Sequence, residues 1–184
     1  MPTAEITAGV TVGICLSLLA CQMALLLRGE RIDVMGRPPL PRPAFFVAKL
    51  SLATSVVCLV ARAITGPAPD SPIALTAFFA LLLGGTAVLA LAFHRLGLNL
   101  RMGLPTESTT LVSGGIYRYS RNPIYLGLFG LVGASVIYAF SLLNLAAAAV
   151  SIVLHHRIVL SEERFLSARF PEYEAYRRSV PRYL

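Results

Sequence analysis

Three long apolar runs, separated by short polar segments, fill the first half of the sequence. The runs cover residues 7–27, 44–64 and 73–93. Each has the length of a helix that crosses a bilayer, which needs about 20 apolar residues. The first run ends at Arg28, the second runs into TGPAPDSP, and the third stops at His94. The pattern therefore predicts three membrane-spanning helices.

A fourth apolar region lies between Arg121 and Arg157 and contains no charged residue. The interval is too long for one ordinary span and slightly short for two. Ser141 and Asn144, within the stretch FSLLN, have side chains that suit a tight turn. The region is therefore interpreted as two short helices joined by that turn.

The arginines concentrate in alternate connecting segments. Residues 28–43 and 95–121 each carry four arginines and the C-terminal segment carries six, whereas residues 62–72 carry only Arg62. Positive charge favours the cytoplasmic side of a membrane. Two helices after Arg121 bring all the arginine-rich segments to that side. The distribution therefore predicts five spans, with the N-terminus outside and the C-terminus cytoplasmic.

The composition is that of an integral membrane protein. Only 14% of the residues are charged and 56% are hydrophobic, whereas a soluble domain carries about 25% charged residues. The net charge of +7 is explained by the topology, and no nucleic-acid partner is expected. We predict an all-α integral membrane helical bundle of about five transmembrane helices with a cytoplasmic C-terminal helical tail.

That tail, SEERFLSARFPEYEAYRRSVPRYL, covers residues 161–184 and is charged. Its apolar and aromatic residues recur at near-helical spacing, at Phe165, Leu166, Phe170, Tyr173 and Tyr176. Proline interrupts a helix because it lacks the backbone N–H. We predict an amphipathic tail that is helical before and after the proline at 171 and folds against the inner face of the bundle.

A polar cluster, GGIYRYSRNPIYLG, stands at the start of the fourth apolar region. One interpretation is structural: Asn122 caps a helix, Pro123 is its first residue, and Arg121 anchors the membrane edge. The other is functional. The helix N-terminus and Arg121 together suit a carboxylate or a phosphate, glycines allow a close approach to a ligand, and Tyr117 and Tyr125 offer flat faces and hydroxyls.

Two adjacent carboxylates, Glu162 and Glu163, lie just past the last predicted span at the same membrane face. They are either a solvated helix face or the partners of a cationic or hydroxyl-bearing ligand. His155 and His156, at the end of that span, point about 100° apart on a helix. They are interpreted as interfacial residues, and no metal site is expected.

These motifs carry a resemblance. The run FHRLGLNLRMG…LVSGGIYRYSRNPIYLG, a hydrophobic hairpin and then EERFLSARFPEYEAYRRSVPRYL resemble the isoprenylcysteine carboxyl methyltransferase family and the related phospholipid N-methyltransferases. Those are multi-pass membrane enzymes that use S-adenosylmethionine. The resemblance covers residues 93–184. It implies a cofactor-binding loop, a helical hairpin and the tail in that region. Together with the three spans predicted in 1–92, which carry no motif of the family, these elements are expected to form one multi-pass membrane methyltransferase domain over 1–184.

The resemblance also implies site residues. One wall of the cofactor pocket would consist of Gly115, Tyr117, Arg121, Asn122, Pro123 and Tyr125. Glu162 and Glu163 would contact the ribose or the ammonium side of the cofactor, and backbone near Val112 would lie by the adenine. Arg121 and Glu163 are the residues predicted to take part in the transfer. The family's eukaryotic carboxyl methyltransferases favour His where this chain has Asn122. This difference slightly disfavours a prenyl-cysteine substrate.

The expected reaction is transfer of a methyl group to a lipophilic acceptor, a carboxylate or an amine, at the cytoplasmic membrane face. Arg121 could hold either the acceptor or the cofactor. The expected partners are a lipophilic or lipidated substrate and membrane lipid, with no obligate protein partner. Two alternatives stay open: a sterol-type membrane reductase that uses NADPH, and a non-enzymatic membrane scaffold or transporter subunit.

Overall fold

The computed structural model describes residues 37–97, 104 and 110–184 and, nearer the N-terminus, residues 6, 7, 9–11, 13, 14, 17, 18, 20, 21 and 24. These residues form helices and short connections, apart from one isolated β-bridge between Arg37 and Leu104. The helices are α1 (Arg42–Thr65), α2 (Pro72–Leu96), a 3-10 helix (Gly115–Arg118), α3 (Pro123–Tyr138), α4 (Leu142–Arg169) and α5 (Tyr173–Ser179). The prediction of an all-α chain is confirmed for this part of the protein.

Three of these helices, α1, α2 and α4, are long and apolar enough to cross a membrane, and α3 is a shorter apolar helix of 16 residues. The second and third predicted spans correspond to α1 and α2. Much of the first predicted span, residues 7–27, lies outside the described residues, and those described between Ile6 and Ala24 are helical. The total of five spans stays a prediction.

Glycines bring α2 and α3 into close contact. Gly85 on α2 faces Gly127 and Gly130 on α3, and a Cβ atom on Gly127 would lie 2.7 Å from the Gly85 carbonyl oxygen. Leu89 lies beside Gly127, and Leu81 lies beside Gly130, so the two helices run antiparallel. Small residues allow such an approach of backbones in a membrane, where packing rather than the hydrophobic effect holds helices together.

The turn between α3 and α4 confirms the predicted break in the fourth apolar region. Ser141 caps α4, since its Oγ accepts a hydrogen bond of 3.1 Å from the Asn144 N–H. The buried Asn144 amide donates to the carbonyl oxygens of Ser135 and Ala139, at 3.0 and 3.1 Å. One expectation was wrong: only α3 is short. The second helix runs without a break from the turn into the predicted tail, because nothing in the sequence stops it before Pro171.

The two ends of the bundle differ in character. At the end that holds the 66–71 connection, a buried apolar cluster joins α1, α2 and α3 around Phe78, Leu82 and Tyr138. At the other end lie the last turn of α2, the 3-10 helix, the start of α3 and the last turns of α4. We call this second end the site end, because it holds nearly all the site residues predicted from the sequence.

Candidate active site

The C-terminal segment of the chain packs on the start of α3 at the site end. The Arg121 backbone N–H donates to the Pro181 carbonyl oxygen at 3.0 Å, and the Ser120 hydroxyl donates to the Arg182 carbonyl oxygen at 3.2 Å. Residues far apart in sequence are thereby joined around the predicted motif. This agrees with a tail that is helical on both sides of the proline at 171 and folds onto the bundle.

The carboxylate of Glu163 is the centre of this junction. It accepts hydrogen bonds from Arg121 at 3.1–3.3 Å, from the Asn122 amide at 2.8 Å and from Arg182 at 3.0–3.1 Å. Glu163 is buried, with 6% of its surface exposed. The pairing with Glu163 also raises the pKa of Arg182. We call these four residues the Glu163 clamp.

Arg121 uses its donors within the protein. Its Nε and Nη2 groups bind Glu163, and its Nη1 group donates to the carbonyl oxygens of Arg177 and Val180, at 2.6 and 3.0 Å. Its side chain is 8% exposed. A guanidinium has five N–H donors in a fixed fork, and here they connect α3, α4 and the C-terminal segment. Binding of an anion by Arg121 stays a prediction. To bind one, Arg121 would have to give up some of these hydrogen bonds within the protein.

Asn122 differs from its structural interpretation. It precedes Pro123 and the first turn of α3 as expected, but its side chain makes no capping hydrogen bond. The amide instead donates to Glu163 Oε1 and, at 3.3 Å, to the Arg182 carbonyl oxygen. The residue is therefore a buried part of the Glu163 clamp, and Pro123 beside it is also buried.

Glu162 faces a different group of side chains. Its Oε1 accepts a hydrogen bond of 2.7 Å from the Tyr125 hydroxyl on α3, and it attracts the Lys49 ammonium on α1 electrostatically. Adjacent residues of a helix point about 100° apart, so the two carboxylates do not form one paired site. Glu162 is half-buried and makes no ion pair within 4 Å among the described residues.

Tyr117 completes the surroundings of Glu162. The residue is buried, and its carbonyl oxygen accepts a hydrogen bond of 2.6 Å from the Tyr176 hydroxyl. Burial raises the pKa of the Tyr117 hydroxyl, and the nearby Tyr176 and Glu162 raise it further. Burial likewise raises the pKa of Tyr176 to about 12. Both phenols therefore stay protonated at neutral pH. We call Tyr117, Tyr125 and Glu162 the aromatic–carboxylate site.

Gly114 and Gly115, at the start of the 3-10 helix, leave room for the side chain of Arg95. Gly115 has a φ angle of 64°, which favours glycine, and a Cβ atom on Gly114 would clash with the guanidinium of Arg95. Arg95 is exposed and has no hydrogen-bond partner among the residues that the structure describes. Arg95 was not among the site residues predicted from the sequence. Val112 lies in the irregular stretch before the 3-10 helix and is half-buried.

The two histidines of α4 have separate surroundings. His155 is buried rather than interfacial, since its Nδ1 bonds to the Ser151 carbonyl oxygen at 2.8 Å and its ring lies 6.2 Å from that of Tyr125. His156 bonds through Nδ1 to the Tyr183 hydroxyl at 2.8 Å. The expectation that both are interfacial was wrong for His155, because it points into the bundle at the level of the aromatic–carboxylate site.

The structure thus divides the predicted site residues into two groups. Tyr117, Tyr125 and Glu162 lie close to one another, whereas Arg121, Asn122 and Glu163 belong to the clamp. Sequence reasoning missed Arg182, which completes the clamp. The signal that could have found Arg182 is the run of arginines in YRRSVPRYL. A glutamate at the end of an apolar helix, such as Glu163, is poorly solvated and needs cationic partners.

Comparison with known proteins gives a family and two curated relatives. The sequence profile described as phospholipid methyltransferase matches residues 73–173. The cobalt-zinc-cadmium resistance protein CzcN of Cupriavidus metallidurans is 29% identical over 76 residues, which cover 41% of this chain and 35% of that protein. The nickel-cobalt-cadmium resistance protein NccN of Alcaligenes xylosoxydans xylosoxydans is 33% identical over 76 residues, 41% of this chain and 36% of that protein. The chain therefore matches about a third of the length of these relatives. No solved structure matches it significantly.

Proposed function

The chain belongs to the phospholipid methyltransferase family, and from this premise we propose that it transfers a methyl group from S-adenosylmethionine to a lipophilic acceptor. The acceptor carries an amine or a carboxylate and is reached at the cytoplasmic face of the membrane. The observation that carries the proposal is the aromatic–carboxylate site, which the fold assembles inside the matched region from the 3-10 helix, α3 and α4.

The residues of this site fit a cationic cofactor. Glu162 is a half-buried carboxylate whose hydrogen bond comes from the neutral Tyr125 hydroxyl, and it has no ion pair within 4 Å among the described residues, so it is available to a cationic group of a ligand. Aromatic rings such as those of Tyr117 and Tyr125 attract cations through their faces. Arg95, beside Gly114 and Gly115, offers a guanidinium for a carboxylate. When bound, S-adenosylmethionine supplies a methyl group on a sulfonium, an electrophile that needs no metal.

In this proposal the chain's residues mainly bind and orient. Glu162 binds the positively charged group of the cofactor, and the two tyrosines lie beside that group. The Glu163 clamp fixes the start of α3 relative to α4. Arg121 and Glu163 therefore act as positioning residues, whose contribution is to keep donor and acceptor in reacting alignment. Tyr176 fixes the backbone at Tyr117 through its hydrogen bond.

Titration of the purified full-length protein with S-adenosylhomocysteine and with NADPH tests this function. We expect S-adenosylhomocysteine to bind and to raise the melting temperature, since a ligand that binds only the folded state stabilises it. NADPH is expected to have no effect. Binding of NADPH alone would assign the chain to the reductase alternative, and binding of neither would favour a non-enzymatic role.

The orientation of the chain is also part of the proposal. The arginine distribution favours a cytoplasmic site end, where a soluble cofactor has access. We expect a reporter fused after Leu184 to be cytoplasmic and a reporter inserted near Pro69, between α1 and α2, to be external. The matched control moves the same reporter to the 139–141 turn, which should also be external. Reporters at Leu184 and Pro69 on the same side would contradict the orientation.

A further inference from the structure

A groove of about 600 Å³ lies between the last turns of α4, α5 and the C-terminal segment. Its polar walls are formed by Arg164, Ser167, Arg177 and Arg182, and the apolar side chains of Leu160 and Ala168 complete its lining. Glu163 also lines it, whereas Glu162 does not. The groove therefore lies on the face of α4 that carries Glu163, whereas the aromatic–carboxylate site lies on the face that carries Glu162.

The groove carries an excess of positive charge. Glu163 is shared by the guanidinium groups of Arg121 and Arg182, so the clamp itself has one more cation than anions. The exposed Arg164 donates only to the carbonyl oxygen of Leu160 in its own helix and has no acidic partner among the described residues. Its terminal nitrogens have no hydrogen-bond partner within the described part of the chain, and Arg164 lines the groove, where an anion could meet them.

Arg177 adds a second cation that is only weakly neutralised. It forms an ion pair of 3.0 Å with Glu174 on α5, but that carboxylate is shared with Arg178, and all three side chains are well exposed. Exposed pairs of this kind contribute little energy and exchange readily. A ligand with two or three anionic oxygens could therefore recruit Arg177 without breaking a buried interaction.

From this arrangement we propose that the groove binds the phosphate of a membrane-lipid headgroup, at a site separate from the one where methyl transfer is proposed. Guanidinium groups bind phosphate oxygens through paired hydrogen bonds. The groove lies where α4 continues beyond the apolar part of its span, and the apolar Leu160 and Ala168 beside the arginines suit the glycerol end of a lipid. Anionic lipids also concentrate near cytoplasmic basic residues.

The test measures binding alone, so its failure would leave the proposed methyl transfer untouched. The purified full chain in neutral detergent is titrated with dioctanoyl phosphatidic acid, with dioctanoylglycerol, which lacks the phosphate, and with inorganic phosphate. We expect saturable binding of the phosphatidic acid, no binding of dioctanoylglycerol and much weaker binding of inorganic phosphate. The double variant Arg164→Gln/Arg177→Gln should bind phosphatidic acid at least tenfold more weakly, since charged hydrogen bonds are lost.

The matched control is Arg157→Gln/Arg178→Gln, which removes two exposed arginines that do not line the groove. The control should bind phosphatidic acid like the parent protein. Equal losses in the two double variants would overturn the proposal, because only net charge would then matter. Inorganic phosphate binding as tightly as the lipid would also overturn it in favour of a free-anion site. A loss of S-adenosylhomocysteine binding in the groove variant would instead assign the groove to the cofactor.

Discussion

Glu163→Gln is expected to destabilise the protein by about 3 kcal/mol, because removing one partner of a buried ion pair leaves the other charge without compensation. Here the uncompensated groups are the Arg121 guanidinium, 8% exposed, and the partly exposed Arg182. The glutamine would also present N–H donors to guanidinium donors. For a chain of this size the loss corresponds to a fall in melting temperature of about 6–12 °C without ligand.

Differential scanning fluorimetry of the ligand-free protein measures this effect, and Glu162→Gln is the matched control on the adjacent residue. Arg182→Gln, alone and combined with Glu163→Gln, completes a double-mutant cycle that isolates the pairing energy. A melting temperature of Glu163→Gln equal to that of the parent protein would show that the clamp contributes nothing. It would also remove the positioning role proposed for Arg121.

Glu162→Gln should do the opposite: it should abolish most methyl transfer and leave the ligand-free melting temperature near the parental value. The side chain is half-buried and makes one hydrogen bond, which an amide oxygen can still accept. What the substitution removes is a carboxylate that can accept hydrogen bonds from the ammonium group, which S-adenosylmethionine and S-adenosylhomocysteine share. A hydrogen bond to a charged group contributes about 1.5–3 kcal/mol, so affinity for S-adenosylhomocysteine should fall about tenfold to a hundredfold.

Isothermal titration with S-adenosylhomocysteine and transfer of labelled methyl groups from S-adenosylmethionine into a total membrane-lipid extract measure this prediction. Tyr125→Phe is the companion variant, because it keeps the ring but deletes the hydroxyl that orients Glu162. Its loss of affinity should be smaller than that of Glu162→Gln. If Glu162→Gln binds S-adenosylhomocysteine and turns over like the parent protein, the cofactor does not bind at the aromatic–carboxylate site.

The positions of the helices could largely be predicted from hydropathy. Runs of about 20 apolar residues bounded by Pro, Gly and Arg have few other stable structures in a bilayer, and α1 and α2 match their predicted bounds within a few residues. The break at residues 139–141 was also predicted, from Ser141 and Asn144. The length of α4 was not predicted, because a change from apolar to charged residues does not by itself end a helix.

The pairing of side chains at the site end could not be predicted in the same way. Glu162 and Glu163 are neighbours in sequence, yet they face different partners because of the helical rotation between them. Asn122 has the chemistry of an N-cap, but a buried carboxylate 2.8 Å away is the stronger partner for its amide. Such choices depend on which side chains meet across helices, and one sequence read in order does not contain that information.

If α3 crosses the membrane as predicted, its 16 residues also set a depth for the site. At 1.5 Å per residue the helix is about 24 Å long, whereas the hydrocarbon core of a bilayer is about 30 Å thick. A helix shorter than the core is accommodated by local thinning of the bilayer or by polar residues that reach outward to the interface. In either case the first turn of such a span, with Tyr125, would meet the boundary between acyl chains and headgroups. A lipid acceptor of the kind proposed above could then reach the proposed site by lateral diffusion, without lifting its tails out of the hydrocarbon.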